Sequence, residues 1–166
     1  MSLDGYIAGP GDDLSFLDAA GQEGEDYGYQ EFMAKVDTVI TGRRTYNKVL
    51  SMVPEWPHKD ISSYILTREK KEPEENVIFY NGKPGDLAKK LKASAGKDIF
   101  VDGGAYVVNE LLKDNLIDEF YITIIPVLLG DGVALFKGGP EKIDLERVNT
   151  TSYENGLVQL HYRRKE

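Results

Sequence analysis

Two consecutive arginines and a threonine follow a glycine early in the sequence, and this combination suits an anionic ligand. The apolar, β-branched run at residues 38–41 predicts a strand that ends at Gly42, after which Arg43, Arg44 and Thr45 open a helix. A glycine turn from strand to helix exposes backbone N–H groups at the positive end of the helix. The planar guanidinium group of arginine can donate two parallel hydrogen bonds to phosphate oxygens. The alternative is a surface turn whose arginines pair with nearby carboxylates.

A second glycine turn follows another short apolar run. Residues 99–101 lead into Asp102, Gly103 and Gly104, and a helical pattern begins directly afterwards. Glycine removes the Cβ that would keep a phosphate from the backbone, and it permits positive φ. A single Gly-Gly pair also fits tight packing of helix on strand. Two such turns in one small protein, both at strand carboxyl ends, favour a ligand site.

A third strand-like run covers residues 64–67. It ends at Thr67, and Arg68 follows it directly. A third arginine near the same edge suggests one more phosphate, and hence NADP(H) rather than NAD(H). The dinucleotide fingerprint G-x-G-x-x-G is absent from the sequence, because the glycine pairs at residues 9–11 and 130–132 lack the third glycine. A standard Rossmann site is therefore not supported.

The elements that must hold these turns alternate between strands and helices. Continuous apolar runs at residues 38–41, 64–67, 77–80 and 99–101 predict buried strands of a parallel sheet. Apolar stripes at helical spacing predict the intervening helices; they comprise Tyr29, Phe32, Met33 and Val36, then Tyr46, Val49 and Leu50, then Leu87, Leu91 and Ala95, and finally Val107, Val108, Leu111 and Leu112. The charged run at residues 70–75 is interpreted as a solvated loop.

The end of the chain has a different pattern. Residues 120–125 predict a strand that Pro126 ends, and strand-like runs at 145–153 and 157–163 flank Asn155-Gly156, a strong hairpin signal. The sequence thus predicts one α/β domain over residues 1–166, with a mainly parallel sheet and a C-terminal antiparallel hairpin. The strand at 120–127 and the hairpin are apolar enough to predict a homodimer across a two-fold axis.

Composition narrows the classes of function. The chain has 166 residues, of which 41% are hydrophobic and 29% charged, as in ordinary globular proteins. It has no cysteine and two histidines, His58 and His161, so we expect no metal site. The net charge of -8 argues against a nucleic-acid partner. Neither a membrane span nor a secretion signal is apparent, and a cytoplasmic location is the expectation.

The ordered set of motifs resembles the dihydrofolate reductase superfamily, and within it the reductase domain of the riboflavin-biosynthesis deaminase-reductase and its stand-alone relatives. The stretches that carry this resemblance are Ser-Leu-Asp-Gly-Tyr-Ile-Ala at 2–8, Thr-Gly-Arg-Arg-Thr-Tyr at 41–46, Leu-Thr-Arg at 66–68, Val-Asp-Gly-Gly-Ala at 101–105, and Leu-Ile-Asp-Glu-Phe at 116–120 running into Ile-Pro-Val-Leu-Leu-Gly at 125–130. The resemblance implies a three-layer dihydrofolate reductase-like fold, with helices on both faces of the central sheet.

The resemblance also implies NADPH as the cofactor. Gly42, Arg43, Arg44 and Thr45 match the phosphate-contacting turn, and Thr67 and Arg68 match the adenosine 2′-phosphate region. The turn beneath the pyrophosphate is matched by Asp102, Gly103, Gly104, Ala105 and Tyr106. The stretch at residues 2–8 matches the strand and loop beside the nicotinamide and the substrate.

Two departures from the family pattern concern the substrate side. The first strand of the family precedes the Ser-Leu-Asp-Gly stretch, whereas this sequence starts at Met1, so we expect that strand to be truncated. Folate-reducing members carry a carboxylate on the helix before the glycine-arginine turn. Asp26 and Glu31 are the candidates here, although a surface role is favoured for both. Asp4 is a further catalytic candidate, for which a turn role is preferred.

Three hypotheses for function follow. The first is an NADPH-dependent reductase of a small heterocycle, similar to 5-amino-6-(5-phosphoribosylamino)uracil reductase, with dihydrofolate reductase-type activity on a pterin as its variant. The second is an enzyme of the same fold that acts on an unrelated carbonyl or imine. The third is a non-catalytic NADP-binding module. In the first two, hydride leaves C4 of the nicotinamide and the protein supplies a proton.

Overall fold

A computed structural model of the chain describes residues 1–138 and 142–165. The chain forms two compact units, one made of residues 26–114 and the other of residues 1–25 together with 115–166. Among the described residues, the unit of residues 26–114 has one sheet and the other unit has two. The glycine-arginine turns all belong to the unit formed by residues 26–114.

The unit of residues 26–114 alternates strands and helices around a parallel sheet. Its elements are α1 (Tyr29–Met33), β2 (Val36–Gly42), α2 (Arg43–Leu50), β3 (Ser62–Leu66), β4 (Val77–Tyr80), α3 (Pro84–Lys92), β5 (Asp98–Gly103) and α4 (Ala105–Lys113); strand β1 (Tyr6–Ala8) lies earlier in the chain. The four strands are parallel and lie in the order β4-β3-β2-β5. The continuous apolar runs therefore predicted the parallel sheet correctly.

The core of this unit is densest around the two central strands. Val39, Ile40 and Ile65 are fully buried. Against them lies an aromatic cluster in which the ring of Tyr46 contacts those of Trp56 and Phe79, with ring centroids 4.9 Å and 6.0 Å away. This packing fixes helix α2, and with it the turn that precedes the helix.

Two predicted helices are shorter than their apolar stripes. Helix α1 ends at Met33, and Val36 is the first residue of β2, where it is buried in the sheet. Helix α3 ends at Lys92, three residues before Ala95. Val36 fitted the stripe because burial by a sheet and burial by a helix face leave the same apolar signature, whereas Ala95 lies exposed in the bend after α3.

The second unit is built from antiparallel pairs. Its elements are β1 (Tyr6–Ala8), 3-10 turns at Pro10–Asp12 and Ser15–Ala20, β6 (Glu119–Ile124), β7 (Val133–Ala134), β8 (Leu145–Ser152) and β9 (Val158–Arg164). Strand β1 pairs with β7, and β6-β9-β8 form an antiparallel sheet. The predicted Asn155-Gly156 hairpin joins β8 to β9, and Gly156 adopts φ +85° there.

No helix within residues 1–138 and 142–165 is long and apolar enough to cross a membrane. Over the same residues, no group of three or more histidine, aspartate and glutamate side chains is arranged to hold a metal ion.

Candidate functional site

The carboxyl edge of the parallel sheet brings the three predicted turns side by side. In the register of the sheet, Gly42 is opposite Leu66 on one side, and Thr41 is opposite Gly103 on the other. Thr67 follows Leu66 directly. The first residues after β3, β2 and β5 therefore form one continuous edge, which is where open α/β sheets bind ligands.

The first turn leaves the start of helix α2 available to an anion. Gly42 caps the helix in an extended conformation, and no side chain in the described part of the chain bonds to the cap. A Cβ at Gly42 would lie 3.4 Å from Cγ2 of Val107, at the limit of ordinary contact. The eight-residue helix directs its N-terminal N–H groups and the positive end of its dipole to this edge.

The second turn is interlocked with the first. The Thr41 hydroxyl donates a buried 3.1 Å hydrogen bond to the carbonyl oxygen of Gly103. A Cβ at Gly104 would lie only 3.0 Å from Oγ1 of Thr45, so a larger residue would push the two turns apart. The peptide bond between Gly103 and Gly104 is cis. Both threonines of the first turn thus fix the position of the second.

Gly103 provides the open backbone that a phosphate needs. Its φ is +103°, which disfavours any side chain, and apart from Gly103 and its two chain neighbours no atom of residues 1–138 or 142–165 lies within 4 Å of the position where its Cβ would stand. Helix α4 begins immediately afterwards, and its cap residue Gly104 makes no side-chain cap bond among the described residues. The edge therefore combines an open glycine with two helix N-termini.

The cations of the site differ in how they are held. Arg43 is half-buried, with its guanidinium carbon 5.8 Å from the ring centroid of Tyr46 and 5.2 Å from that of Phe79. Arg44 and Arg68 are exposed. The Arg68 carbonyl accepts a 3.0 Å hydrogen bond from the side-chain amide of Asn81, which fixes the turn after β3.

The remaining predicted residues have separate placements. The Thr67 N–H donates to the Tyr80 carbonyl at 3.0 Å, and its hydroxyl oxygen accepts a hydrogen bond from the Glu69 N–H at 3.1 Å. Ala105 is buried, so only its backbone faces the edge, whereas Tyr106 is 65% exposed. Together these residues have the chemistry that a dinucleotide needs. The open backbone at Gly103 suits phosphate groups, the arginines lie at the same sheet edge, and the hydroxyl of Thr67 lies in the turn after β3.

Asp102 has an acidity that its sequence position does not reveal. Burial raises the pKa of Asp102 to about 7. The pKa of Tyr29 is also raised, first by burial and then by the negative charge of Asp102, so the two groups face the same region. The sequence placed Asp102 in the cofactor turn but gave no indication of its raised pKa. The available signal was a carboxylate that ends an apolar strand run.

The two carboxylates proposed on or near helix α1 have other partners. Asp26 is exposed and holds the turn that leads into the helix: its Oδ1 accepts a hydrogen bond from the Gly28 N–H at 3.0 Å and its Oδ2 accepts one from the Gln30 N–H at 3.1 Å. The Glu31 side chain is 83% exposed and forms a 3.5 Å ion pair with Lys35. Both positions match the surface role that the sequence favoured.

Asp4 lies in the other compact unit and holds a loop there. Its carboxylate accepts hydrogen bonds from the Ser2 hydroxyl at 2.6 Å and from the N–H groups of Leu129 at 3.2 Å and Gly130 at 2.7 Å. The Ser2 hydrogen bond is the largest of the effects that lower the pKa of Asp4. A carboxylate that is more acidic than usual is ionised at neutral pH and is a poor proton donor.

The parallel sheet with its glycine turns and the antiparallel hairpin sheet define an α/β protein of the dihydrofolate reductase-like fold. The chain belongs to the RibD C-terminal domain family, whose pattern matches residues 1–159. The resemblance inferred from the ordered motifs is thereby confirmed.

Individual relatives cover the whole chain. It is 40% identical over 163 residues to the uncharacterized protein YwjB of Bacillus subtilis (strain 168), covering 98% of this chain and 92% of YwjB. The crystal structure of a putative riboflavin biosynthesis protein from Shewanella sp. PV-4 is 32% identical, with a TM-score of 0.89, covering 100% of this chain and 96% of that one.

A pyrimidine reductase-like protein from Corynebacterium diphtheriae has the same fold at 16% identity, with a TM-score of 0.72, covering 100% of this chain and 89% of that one. At that identity the likeness concerns the fold alone. Membership of the family and the likeness to the Shewanella protein support a reductase-like role for this chain.

Proposed function

We propose that the chain is an NADPH-dependent reductase that transfers hydride to a small heterocycle, of the type of 5-amino-6-(5-phosphoribosylamino)uracil in riboflavin biosynthesis. The observation that carries the proposal is the interlocked pair of glycine turns at one sheet edge, joined by the bond from Thr41 to Gly103. Membership of the family and the likeness to the Shewanella riboflavin biosynthesis protein support the choice of substrate class.

Different residues of the sheet edge would contact different parts of the dinucleotide. Gly42, Arg43, Arg44 and Thr45 would hold phosphate oxygens at the start of helix α2. Gly103 and Gly104, followed by Ala105 and Tyr106, would receive the pyrophosphate, and Thr67 and Arg68 would face the adenosine ribose. When bound, the cofactor supplies the hydride from C4 of its nicotinamide.

Asp102 supplies the proton in this proposal. Reduction of a C=N bond needs a hydride at carbon and a proton at nitrogen. A carboxyl group whose pKa is about 7 is half protonated at neutral pH, which suits a general acid. After donating its proton Asp102 is a carboxylate, and it recovers the proton from solvent. Tyr29 borders the same region, since the negative charge of Asp102 contributes, after burial, to the raised pKa of its phenol.

Dihydrofolate is the less favoured substrate. Pterin reduction in this fold uses a carboxylate on the helix before the glycine-arginine turn. Both carboxylate oxygens of Asp26 instead accept backbone N–H groups at the start of that helix, and Glu31 is exposed beside Lys35. A ribosylaminopyrimidine can be protonated from the sheet edge, where Asp102 lies.

Turnover tests the proposal. The purified protein is mixed with NADPH and either a ribosylaminopyrimidine or dihydrofolate, and the loss of the reduced nicotinamide absorbance is followed. The proposal expects stoichiometric oxidation with the pyrimidine. NADPH oxidation with dihydrofolate alone would overturn the substrate class, and binding without oxidation would favour a non-catalytic module.

We also propose that the protein forms a homodimer through the antiparallel sheet of residues 119–164. Strand β8 is the last in the order β6-β9-β8 and pairs only with β9 among the described residues. It is exposed along most of its length and carries Leu145 and Val148 at 38% and 44% exposure. An exposed edge strand with apolar side chains favours association with a second copy.

A further inference from the structure

Helix α1 packs on strand β5 through a contact between two aromatic rings. The ring of Phe32, on the helix, meets the ring of Phe100, on the strand, edge to face with centroids 5.0 Å apart. The imidazole of His58 also contacts Phe100, at 5.9 Å. Phe32 and Phe100 both pack against the buried core cluster that contains Val39. The helix is therefore fixed on the same face of the sheet as that core.

Strand β5 contains an extra residue at Asp102. The consecutive β2 positions 40 and 41 are opposite Val101 and Gly103, so Asp102 has no partner among residues 36–42. Such bulges re-aim a side chain, and they are over-represented beside active sites. The bulge lies at the carboxyl edge of the sheet, directly before the open glycine turn.

Tyr29 lies one helical turn before Phe32, on the same side of helix α1. Helix α1 ends shortly before β2, which is parallel to β5, so the helix runs in the opposite direction to β5. The step from Phe32 back to Tyr29 is about 4.5 Å, and the step from Phe100 on to Asp102 is about 6.6 Å. These steps bring Tyr29 over Asp102, and the contribution of the Asp102 charge to the raised pKa of Tyr29 supports this pairing.

Within residues 1–138 and 142–165, burial alone accounts for the raised pKa of Asp102, and neither a hydrogen bond nor a charged neighbour contributes to it. Charged side chains of the neighbouring helices are engaged elsewhere: Glu31 of α1 with Lys35, Glu110 of α4 with Lys113, and Arg43 of α2 over the rings of Tyr46 and Phe79. The acidity of Asp102 therefore depends on the atoms that keep water away from its carboxyl group.

We propose that Tyr29 is a positioning residue for the proton donor: its ring covers the Asp102 carboxyl from the side of helix α1 and keeps water from it. Asp102 is half-buried and Tyr29 is 47% exposed, so the tyrosine forms the outer wall. The raised pKa of Tyr29 keeps its phenol uncharged at neutral pH. Tyr29 acts through Asp102 and transfers no proton itself. This inference rests on the proposed function, because it assumes that Asp102 is the general acid.

A carboxyl titration followed by carbon NMR tests this role without turnover. The Asp102 signal of the full chain is identified by its loss in Asp102→Asn. In Tyr29→Ala water reaches the carboxyl group, and its pKa should fall from about 7 by about one pH unit or more. Tyr29→Phe keeps the ring and should titrate like the unaltered chain. The control Gln30→Ala changes an exposed residue of the same helix and should also leave the titration unchanged.

Turnover provides a second readout. If the pKa of Asp102 falls by about one pH unit, about one tenth of the protein rather than about one half carries the proton at neutral pH. The kcat of Tyr29→Ala should then fall about fivefold at neutral pH and recover at lower pH, while KM for NADPH stays within about twofold. A residue that only stabilised the helix would not move the pH at which kcat falls.

A further variant covers the case in which Tyr29→Ala does not fold. Tyr29→Leu has a smaller side chain that is not aromatic, and it should lower the pKa of Asp102 in the same direction by less. Melting temperatures are measured for every variant, and Tyr29→Leu decides the question if Tyr29→Ala is unfolded.

The outcomes separate the two claims. If Asp102 has the same pKa in the unaltered chain and in Tyr29→Ala, or if Gln30→Ala or Tyr29→Phe lowers it equally, the role of Tyr29 is overturned and the proposed function stands. An ordinary carboxyl pKa for Asp102 in the unaltered chain also overturns that role. If the unaltered chain oxidises NADPH with no candidate substrate, the proposed function fails, and the NMR titration still decides whether Tyr29 covers Asp102.

Discussion

The hydroxyl of Thr41 donates a buried 3.1 Å hydrogen bond to the carbonyl oxygen of Gly103, from strand β2 to its neighbour β5. Thr41 ends the strand that leads to the arginines, and Gly103 begins the open glycine turn. One hydrogen bond thus couples the two halves of the proposed cofactor site.

Replacing Thr41 by valine should therefore uncouple the turns. Thr41→Val keeps the shape of the side chain but leaves a buried carbonyl without its partner, at a cost of about 1–3 kcal/mol. We expect a lower melting temperature and weaker NADPH binding, measured on the same preparation.

The matched control is Thr38→Val at the other end of the strand, where the hydroxyl bonds to Asp37 instead. It should affect stability without affecting the affinity for NADPH. Equal affinities for NADPH in the two variants would contradict the coupling.

Gly103→Ala tests the open backbone at the second turn. The φ of +103° penalises any Cβ by about 1–2 kcal/mol, and the Cβ would also enter the space assigned to the pyrophosphate. The affinity for NADPH should therefore fall by more than the loss in free energy of unfolding explains.

Gly24→Ala provides the comparison for Gly103→Ala. Gly24 has φ +80° and, within the described residues, equally open surroundings, but it lies outside the sheet edge. Gly24→Ala should lower the stability of the protein but leave its affinity for NADPH unchanged. If both alanine variants bind NADPH like the unaltered chain, Gly103 does not contact the cofactor.

The raised pKa of Asp102 predicts a pH dependence of stability. The folded state holds this proton more tightly than the unfolded chain, whose carboxyl titrates near 3.8. The stabilisation from the protonated form is complete below that value and is lost as pH rises to about 7, at no more than about 1.4 kcal/mol per pH unit. In Asp102→Asn this dependence should disappear, as denaturant unfolding at several pH values would measure.

The same residue predicts the pH dependence of turnover. If Asp102 is the general acid, kcat should fall as pH rises through about 7, and Asp102→Asn should bind NADPH normally while losing most of kcat. Glu31→Gln is the control, because Glu31 is an exposed carboxylate paired with Lys35. Full activity in Asp102→Asn would assign the proton to another group or to water.

The proposed dimer is tested by sedimentation at micromolar concentration. Val148→Lys places a charge on the exposed edge strand β8 and should shift the protein towards monomer. Val53→Lys changes a valine of similar exposure outside that sheet and should leave the association unchanged. A monomeric unaltered chain would refute the proposal.

The sequence was most informative where glycine follows an apolar run. The strands ending at Gly42 and Gly103, and the helices that follow them, lie where the pattern predicted. Val36 was predicted on the face of helix α1 but lies in strand β2, because the sequence pattern does not distinguish an apolar residue on a helix face from one in a buried strand.

The properties that the sequence missed depend on tertiary structure. The pKa of Asp102 depends on the atoms that exclude water from it. Residues 70–75 are all exposed, as the charged run predicted, but that run gives no sign that Nζ of Lys71 lies 4.3 Å from the centroid of the Phe79 ring.

Thermal unfolding with increasing NADPH or NADH shows whether a nicotinamide dinucleotide binds at the sheet edge. At a hundredfold excess over its dissociation constant, NADPH should stabilise the protein by about 2.7 kcal/mol and raise the melting temperature, and NADH should need higher concentrations for the same effect. If neither dinucleotide shifts the melting temperature, the sheet edge from Thr41 to Gly104 is not a cofactor site and the account is wrong.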